Sequence, residues 1–367
     1  IEDWSNLRSK MIREVPLEFS RDEWAYLVTF LDSEQLESVF HDAFGVAIAK
    51  PEKPLTRLYR PRGDISVWLP NNVSLLGPLT LVLLSLTGQK LRLKLGSAAE
   101  DLASAFLDFA RQNLRDGELK AYLSKKVSAE RFGRDSPEQK KLSESAQVRI
   151  VFGSDAAAED IHALPHPLGS KGFSFVDRQS EAWIEASEVN DDVLTTLIKV
   201  FAIYGQAGCT SPRRVILLGG TNKTLLSFRA RMIELWPEVI KTDVPMHIAS
   251  SNILGMQHAR ALGWDSVCTP RNSAVLATGA FDLASFNAPM GLSLHTASRE
   301  EALARLPSNI QTIGHAVSNP NDPEWINLLA RSGVLRFVPL SQVHYFNNSW
   351  DGEEFWRQCF EAVEVKV

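Results

Sequence analysis

Residues 64–95 read DISVWLPNNVSLLGPLTLVLLSLTGQKLRLKL, and this stretch decides the fold. Its first seven residues alternate in polarity and contain β-branched side chains, which predicts a strand. The apolar run 75–87 predicts a buried helix that ends at Gly88, and LRLKL predicts a second strand. Strand, helix and strand in this order are typical of a βαβ unit in a parallel sheet, so the sequence predicts an α/β fold.

The same alternation continues along the chain after this stretch. Ser97 and Glu100 form the pattern of a capping box, which predicts that a further helix begins there. The charged segment 125–145 predicts a solvated helix or loop, and VRIVFGSD (148–155) predicts another strand. ALPHPLGSKG (163–172) is rich in proline and glycine and predicts a bridge between domains. We therefore expect domains at 1–172, which opens with a helical lead-in, and at 173–350, followed by a tail at 351–367.

Composition excludes several classes of protein. The chain has 367 residues, 44% of them hydrophobic, and a net charge of -5, which gives no basic footprint for nucleic acid. Its most apolar run, at 75–86, is broken by Gly77 and Pro78 and is shorter than the ~20 residues of a spanning helix. The three cysteines follow no metal or disulfide spacing, which indicates a reducing compartment, with the cytoplasm as the expected location.

Cys209 lies in the loop GQAGCTSPRRV, directly before an apolar run that predicts a buried strand. A cysteine attacks as its thiolate, which positive neighbours such as Arg213 and Arg214 would favour. The glycines would allow the backbone to approach a substrate closely. The alternative is a cysteine that only fills space in the core, and the loop by itself does not decide between the two interpretations.

The order and spacing of four motifs resemble the aldehyde dehydrogenase superfamily. LPNNV, LKLGS, FGSD and GQAGC stand in the order that the superfamily uses, with 22, 59 and 56 residues separating Asn72, Lys94, Gly153 and Cys209. The match is closer to the acyl-CoA reductase branch, typified by the acyl reductase of bacterial luminescence, through CTSPRRV and FNNSWDG. This resemblance implies an aldehyde-dehydrogenase-like α/β fold, with an atypical Rossmann cofactor domain followed by an α/β catalytic domain.

The resemblance also implies roles for individual residues. Cys209 would be the nucleophile that takes an acyl group from a thioester, and hydride from a reduced nicotinamide would then release the aldehyde. Asn72, or its neighbour Asn71, would stabilise the oxyanion together with the backbone N–H of Cys209. Lys94 would hold the adenine ribose and could meet a 2′-phosphate, which favours NADPH over NADH. Gly153 and Ser154 would face the cofactor diphosphate at a helix start.

Two departures from the superfamily pattern are informative. The glutamate that activates water in hydrolytic members has no counterpart in FSFVD (173–177), although Asp177 and Glu181 lie close by in sequence. Its loss suits an enzyme whose acyl intermediate must survive until hydride arrives. The glutamate that binds the nicotinamide ribose aligns with Ala284. Four histidines fall near matched segments and could act as acid or base, although packed or surface roles are commoner: His162, His166, His295 and His315.

The expected function is the NADPH-dependent reduction of an acyl thioester, from CoA or a carrier protein, to an aldehyde. The alternatives are an acyl-phosphate reductase, an oxidising aldehyde dehydrogenase, or a non-catalytic assembly partner. The tail resembles a superfamily segment that returns as an edge strand and joins subunits, so we expect a homo-oligomer. The resemblance also allows an acyltransferase or acyl-activating partner. No metal site, nucleic acid or membrane span is expected.

Overall fold

The computed structural model describes residues 1–45, 57–203, 205–279 and 288–364. The chain divides into two compact units: unit 1 comprises residues 1–177 and 346–367, and unit 2 comprises residues 178–345. The domain boundary expected after residue 172 falls inside a strand, Lys171–Val176, and this strand belongs wholly to unit 1. The C-terminal segment that returns to unit 1 begins at residue 346 and not at 351.

The helices and strands alternate through most of the chain. In the first part of unit 1 they are α1 (Glu2–Met11), α2 (Arg21–Phe30), α3 (Ser33–Phe44), β1 (Arg57–Pro61), β2 (Ile65–Trp68), α4 (Leu76–Ser85), β3 (Leu91–Lys94), α5 (Leu102–Asn113), α6 (Glu118–Lys126), β4 (Val127–Glu130), α7 (Pro137–Glu144), β5 (Val148–Gly153), α8 (Asp155–His162) and β6 (Lys171–Val176). In unit 2 they are β7 (Gln179–Glu185), α9 (Asp191–Ala202), β8 (Pro212–Leu218), α10 (Asn222–Val239), α11 (Met246–Ala261), β9 (Asp265–Cys268), β10 (Val275–Thr278), β11 (Gly291–Ala297), α12 (Arg299–Ala304), β12 (Ile310–Ala316), α13 (Pro323–Arg331) and β13 (Arg336–Pro339). The chain returns to unit 1 with α14 (Phe355–Gln358) and β14 (Phe360–Glu364).

Unit 1 is built on a five-stranded sheet in the order β4-β3-β2-β5-β6, and all its paired neighbours are parallel. The chain moves outward from β2 to β3 and β4, and then returns to the other side of β2 with β5 and β6. The strand order therefore reverses between β2 and β5, and in open parallel sheets ligands bind at the carboxyl ends of the strands beside such a reversal.

Two local predictions for unit 1 were wrong. The helix α5 begins at Leu102 and is capped by Asp101, which accepts a hydrogen bond from the Ser104 N–H at 3.0 Å, so Ser97 and Glu100 form no capping box. The charged segment 125–145 contains the edge strand β4 as well as α7. The strand β4 lies at the edge of the sheet, is four residues long (VSAE), and buries only Val127, which explains why composition concealed it.

The C-terminal segment pairs within its own chain. The strand β14 runs antiparallel to β1 in a two-stranded sheet. Trp356 of α14 is fully buried, and its Nε1 donates to the Leu83 carbonyl of α4 at 2.8 Å. The aromatic ring of Phe40 meets Trp356 edge-on, with 4.8 Å between centroids. These contacts attach the tail to α3 and α4 of unit 1.

Unit 2 is built on a seven-stranded sheet in the order β13-β12-β7-β8-β11-β10-β9. Its neighbours are parallel except for β9, which runs antiparallel to β10. On one face, residues of α9 and α10 such as Leu197 and Met232 form a core with Ala182 and Leu217 of the central strands. On the other face, Ala302 of α12 and Trp325 of α13 form a second core with residues of β7 and β8 such as Trp183. Both faces of the parallel strands are thus covered.

Two features are absent from the described ranges, a membrane-spanning helix and a metal-binding cluster. No helix within 1–45, 57–203, 205–279 or 288–364 has the length and apolar character to cross a membrane. Within the same ranges, no group of three or more histidine, cysteine, aspartate or glutamate side chains could hold a metal ion.

Candidate active site

The loop that carries Cys209 joins α9 to β8, and the cysteine is exposed. Gly205 and Gln206 both have positive φ, at 55° and 58°, so the chain turns back sharply just before the cysteine. A left-handed conformation is easy for glycine but unfavourable for glutamine, and it persists only where surrounding contacts enforce it.

The side chain of Gln206 provides these contacts. It is 1% exposed, and its Nε2 donates to the carbonyls of Pro212 at 3.0 Å and of Gly291 at 2.5 Å. Its Oε1 accepts from the Gly291 N–H at 2.8 Å. The carboxamide thus bonds both backbone groups of the first residue of β11. We infer that Gln206 fixes the beginning of the cysteine loop on the central strands of unit 2.

Cys209 itself lies in a tight turn. The Ser211 N–H donates to the Gly208 carbonyl at 3.0 Å, which closes a four-residue turn with Cys209 and Thr210 in its centre. The carbonyl of Cys209 accepts from the hydroxyl of Ser180 at 2.7 Å, and Ser180 is almost wholly buried at the start of β7. The backbone of the cysteine is thereby held while its side chain reaches the surface.

A histidine that sequence analysis did not single out bonds the residue after the cysteine. Thr210 Oγ1 lies 2.6 Å from His344 Nδ1, and His344 Nε2 lies 2.7 Å from the Val200 carbonyl. Because a carbonyl only accepts, Nε2 must carry the proton, and Nδ1 then accepts from the Thr210 hydroxyl. Burial lowers the pKa of His344 to about 4, against the opposing effect of the bond to Val200, so the neutral form prevails at neutral pH. These residues are 134 positions apart, and no local motif announces the pair.

Glu181 forms a buried ion pair with Arg214. The two side chains are 2% and 4% exposed and bond directly across β7 and β8. The second oxygen of Glu181 accepts from Trp183 Nε1 at 2.8 Å, and Arg214 also donates to the Arg305 carbonyl at 3.1 Å. Burial raises the pKa of Glu181, although attraction to Arg214 acts in the opposite direction. Arg214 is thus engaged with a carboxylate, which differs from its expected role beside the thiol.

In unit 1 the two asparagines after β2 have different surroundings. Asn71 Oδ1 accepts from the Ala98 N–H at 3.0 Å, and a side chain at Gly96 would collide with this oxygen. Asn71 therefore fastens the loop after β2 to the loop after β3. Asn72 is exposed on the same turn. This bond uses the Oδ1 of Asn71 and not its Nδ2, so it does not decide between the two asparagines, and Asn72 as oxyanion donor stays a prediction.

Lys94 ends β3 and has a cationic neighbour. It is half-buried, and burial lowers its pKa, which the positive charge of Arg131 lowers further. Arg131 follows β4 and donates to the carbonyls of Ser97 at 2.9 Å and Ala99 at 2.8 Å. Two cations therefore stand together at the carboxyl ends of adjacent parallel strands. Sequence analysis missed Arg131 because it did not recognise β4.

Gly153 ends β5, and Ser154 caps the following helix α8. The Ser154 hydroxyl accepts from the Ala157 N–H at 3.3 Å, and a carboxylate oxygen of Asp177 accepts from the Asp155 N–H at 3.2 Å. Asp177 thus occupies the helix N-terminus, where an anion is favoured. A diphosphate at this end would have to compete with Asp177. The role of Gly153 and Ser154 stays a prediction.

The four histidines considered from the sequence occupy unlike environments. His162 packs on Gly172 and bonds Ser174 Oγ at 2.6 Å, and His166 is exposed beside the Leu164 carbonyl. His295 is buried on β11, and burial lowers its pKa to about 4. His315 stacks on Phe337, with 4.2 Å between ring centroids, and burial lowers its pKa too. Ala284 lies outside the described residues.

The candidates thus divide between the units. Asn72, Lys94, Gly153 and Ser154 all lie at or just after the carboxyl ends of β2, β3 and β5, so unit 1 brings them to one edge of its sheet. Cys209 belongs to unit 2 and precedes the amino end of β8. Unit 1 thus contains the predicted oxyanion and cofactor residues, and unit 2 contains the predicted nucleophile.

Comparison with solved structures identifies the fold. The chain is similar to methylmalonate-semialdehyde dehydrogenase from Oceanimonas doudoroffii, with a TM-score of 0.69, 12% identity, and 99% of this chain and 84% of that chain covered. An oxidoreductase from Marinobacter aquaeolei is similar with a TM-score of 0.66 and 14% identity, and the match covers 99% of this chain and 83% of that chain. A betaine aldehyde dehydrogenase variant from Staphylococcus aureus, solved in complex with NAD+, has a TM-score of 0.65 and 10% identity. That match covers 99% of this chain and 83% of that chain. The chain has the aldehyde dehydrogenase fold, as the sequence predicted.

A family model identifies the chain more narrowly. The model of the acyl-CoA reductase (LuxC) family matches residues 19–355, which is most of the chain. The chain therefore belongs to the acyl-CoA reductase (LuxC) family, and the resemblance found in the sequence is confirmed. The search of curated proteins returned no match. Family and fold together support an oxidoreductase that acts on aldehyde or acyl groups.

Proposed function

We propose that this protein is a cytoplasmic reductase that converts an acyl thioester, delivered by CoA or by a carrier protein, to the aldehyde with NADPH. Cys209 is the nucleophile in this proposal. Membership of the acyl-CoA reductase (LuxC) family supports acyl reduction in general. The chemistry of the cysteine loop supports a thioester substrate and a covalent acyl-cysteine intermediate.

The observation that carries the proposal is the contrast between Cys209 and Glu181. The cysteine is exposed on a loop held by buried hydrogen bonds. Glu181, the first glutamate after the expected position of the water-activating base, is enclosed in an ion pair with Arg214. A buried carboxyl group whose two oxygens are bonded to a guanidinium and an indole N–H is poorly placed to take a proton from water. This arrangement favours an acyl-cysteine that persists until it is reduced.

The covalent step is the transfer of the acyl group from the thioester sulfur to the sulfur of Cys209. The Cys209 thiolate attacks the thioester carbonyl, the bond from carbon to the CoA sulfur breaks, and the CoA thiolate leaves and takes a proton from solvent. The Cys209 N–H and, on the family resemblance, the Asn72 amide would stabilise the oxygen that becomes negative during the attack. A reduced nicotinamide, when bound, supplies the hydride that turns the acyl group into the aldehyde and frees the thiolate.

The residues at the sheet edge of unit 1 suit a phosphorylated cofactor. Lys94 and Arg131 place two positive charges at neighbouring strand ends, and the burial of Lys94 increases the cost of leaving its charge without an anion. A 2′-phosphate would relieve this repulsion, and a bare ribose would not. These residues therefore support the choice of NADPH over NADH.

The test is an assay with saturated acyl-CoA thioesters of several chain lengths and NADPH, which follows cofactor absorbance and aldehyde formation. We expect turnover by the native chain and none above background by Cys209→Ala. Cys268→Ala is the matched control, because it removes the half-buried cysteine of β9 and should keep activity. Oxidation of a simple aldehyde with NADP+ in the absence of thioester turnover would favour an oxidising aldehyde dehydrogenase instead.

We further propose a homo-oligomer joined through the tail. The ribbon of β1 and β14 is a two-stranded sheet of the described residues, and a ribbon of this kind can accept further strands along its outer edges. Light scattering of the full chain tests this, with Ala362→Pro on β14 expected to weaken the association. A monomer at all concentrations would contradict it. A carrier protein or acyltransferase as partner rests on the family resemblance.

A further inference from the structure

We propose that His344 is a positioning residue for the acylation of Cys209, acting through Thr210. The inference deepens the proposed function, because it rests on Cys209 as the nucleophile. It concerns how the turn at 208–211 directs the backbone N–H of the cysteine toward the oxygen that becomes negative during attack.

The orientation of this N–H follows from the turn. The Gly208 carbonyl points into the turn, where it accepts from the Ser211 N–H at 3.0 Å. In a trans peptide the carbonyl of one residue and the N–H of the next point in opposite directions. The Cys209 N–H is therefore directed away from the interior of the turn. A small rotation of the turn would misdirect it, and oxyanion donors act only when they are aimed correctly in advance.

Three buried side chains fix the turn from different elements. Ser180 of β7 holds the Cys209 carbonyl, Gln206 holds the beginning of the loop on β11, and His344 holds the Thr210 hydroxyl. Ser180 acts on the cysteine itself, and Gln206 acts on its own segment and on Pro212, which follows the turn. His344 is thus the contact that fixes the second central residue of the turn, among the hydrogen bonds of the described residues.

The two ring nitrogens of His344 have separate tasks, which makes the proposal testable. Nε2 donates to Val200 at the end of α9 and anchors the ring, whereas Nδ1 accepts from Thr210 and acts on the turn. Asparagine places its Oδ1 where Nδ1 lies, and glutamine places its Nε2 where the histidine Nε2 lies. His344→Asn can therefore keep the bond to Thr210, and His344→Gln can keep the bond to Val200.

The experiment measures the burst of p-nitrophenolate from p-nitrophenyl acetate, which reports acylation without CoA or nicotinamide. Thr210→Val should slow the burst about tenfold, the usual effect of losing one hydrogen bond, and Thr210→Ser should stay within about twofold. His344→Asn should acylate faster than His344→Gln. Once Thr210→Val is present, adding His344→Gln should change the burst little, because both act through one bond.

Alkylation of Cys209 by iodoacetamide, corrected with Cys209→Ala, separates positioning from general disorder. Alkylation develops no oxyanion, so Thr210→Val should leave its rate within about twofold. Equal changes in alkylation and burst, additive effects of the two substitutions, or faster acylation by His344→Gln than by His344→Asn would overturn the proposal. So would the absence of a burst in the native chain. A normal burst pattern without acyl-CoA reduction would instead refute the proposed function and leave this inference standing.

Discussion

The two units hold their candidate residues in opposite ways. In unit 2 the cysteine is exposed while the side chains that fix its loop are buried: Ser180 and Gln206 are each 1% exposed, and His344 is 8% exposed. In unit 1 the candidates are themselves exposed or half-buried and are placed by the ends of parallel strands. Strand ends need no special side chains to position a residue, whereas an irregular loop needs a hydrogen bond at each step.

This difference has energetic consequences. Substitutions around Cys209 should change stability together with activity, because buried polar groups lose their partners. Substitutions at the sheet edge of unit 1 should change cofactor binding and leave stability nearly unaffected.

The largest effect of a single substitution is expected at the buried ion pair. Glu181→Ala leaves Arg214 buried without its carboxylate, and breaking such a pair costs about 3–5 kcal/mol of unfolding free energy. Urea unfolding, monitored by tryptophan fluorescence, measures this loss of unfolding free energy. The control is Glu234→Ala, which removes an exposed partner of Arg231 and should produce no measurable change. Equal stability of the two variants would mean that the pair is unimportant for unit 2.

Acid should destabilise unit 2 through its buried histidines. Burial lowers the pKa values of His344 and His295 to about 4, with Arg336 acting on the first and Arg214 on the second in the same direction. The unfolded chain therefore binds more protons between pH 6.5 and 4, so stability is present above pH 6.5 and is lost as pH falls through that window. Each histidine contributes about 1.4 kcal/mol per unit of pKa difference.

Urea titrations between pH 7.5 and 4.5 measure this dependence. His344→Asn carries no group that titrates in the window, so its curve should be shallower than that of the native chain, even if the variant is less stable throughout. The exposed His166 on the loop before β6 provides the control, and His166→Asn should keep the native slope. Parallel curves for all three proteins would contradict the burial argument.

A smaller loss is expected at Gln206. Gln206→Ala removes the bonds to Pro212 and to both backbone groups of Gly291, and should cost about 2 kcal/mol of stability. It should also slow acylation of Cys209, because the loop loses its attachment to β11. Urea unfolding of the native and variant proteins measures the loss of stability, and the p-nitrophenolate burst from p-nitrophenyl acetate measures the rate of acylation. Gln257→Ala, on an exposed face of α11, should change neither; a stable but inactive Gln206→Ala would separate the two properties.

The sequence predicted those parts of the molecule that local patterns encode. The βαβ unit at 64–95 was confirmed because apolar periodicity is local: β2, α4 and β3 fall within the expected runs. The strand β4 escaped because it has only four residues, VSAE, and lies between charged residues that are typical of a solvated surface. The bond between Thr210 and His344 escaped because it joins residues 134 positions apart that carry no common motif. Residue types announced the nucleophile, but the side chains that position it become visible only in the folded chain.

The smallest effect, and the one that tests unit 1, concerns cofactor choice. Lys94→Ala should raise the KM for NADPH about tenfold, the value of one charge-assisted bond, and should leave the KM for NADH nearly unchanged. Arg131→Ala should act in the same direction, although it also releases the carbonyls of Ser97 and Ala99. Arg134→Ala, which removes an exposed cation that pairs with Asp160, is the control.

If Lys94→Ala weakened the binding of both cofactors equally, the lysine would bind the ribose and not the phosphate. The sheet edge would then position the nucleotide without selecting its phosphate. Unfolding free energies close to native in all three variants would sharpen the contrast with unit 2, since these side chains are placed by strand ends and not by a buried network.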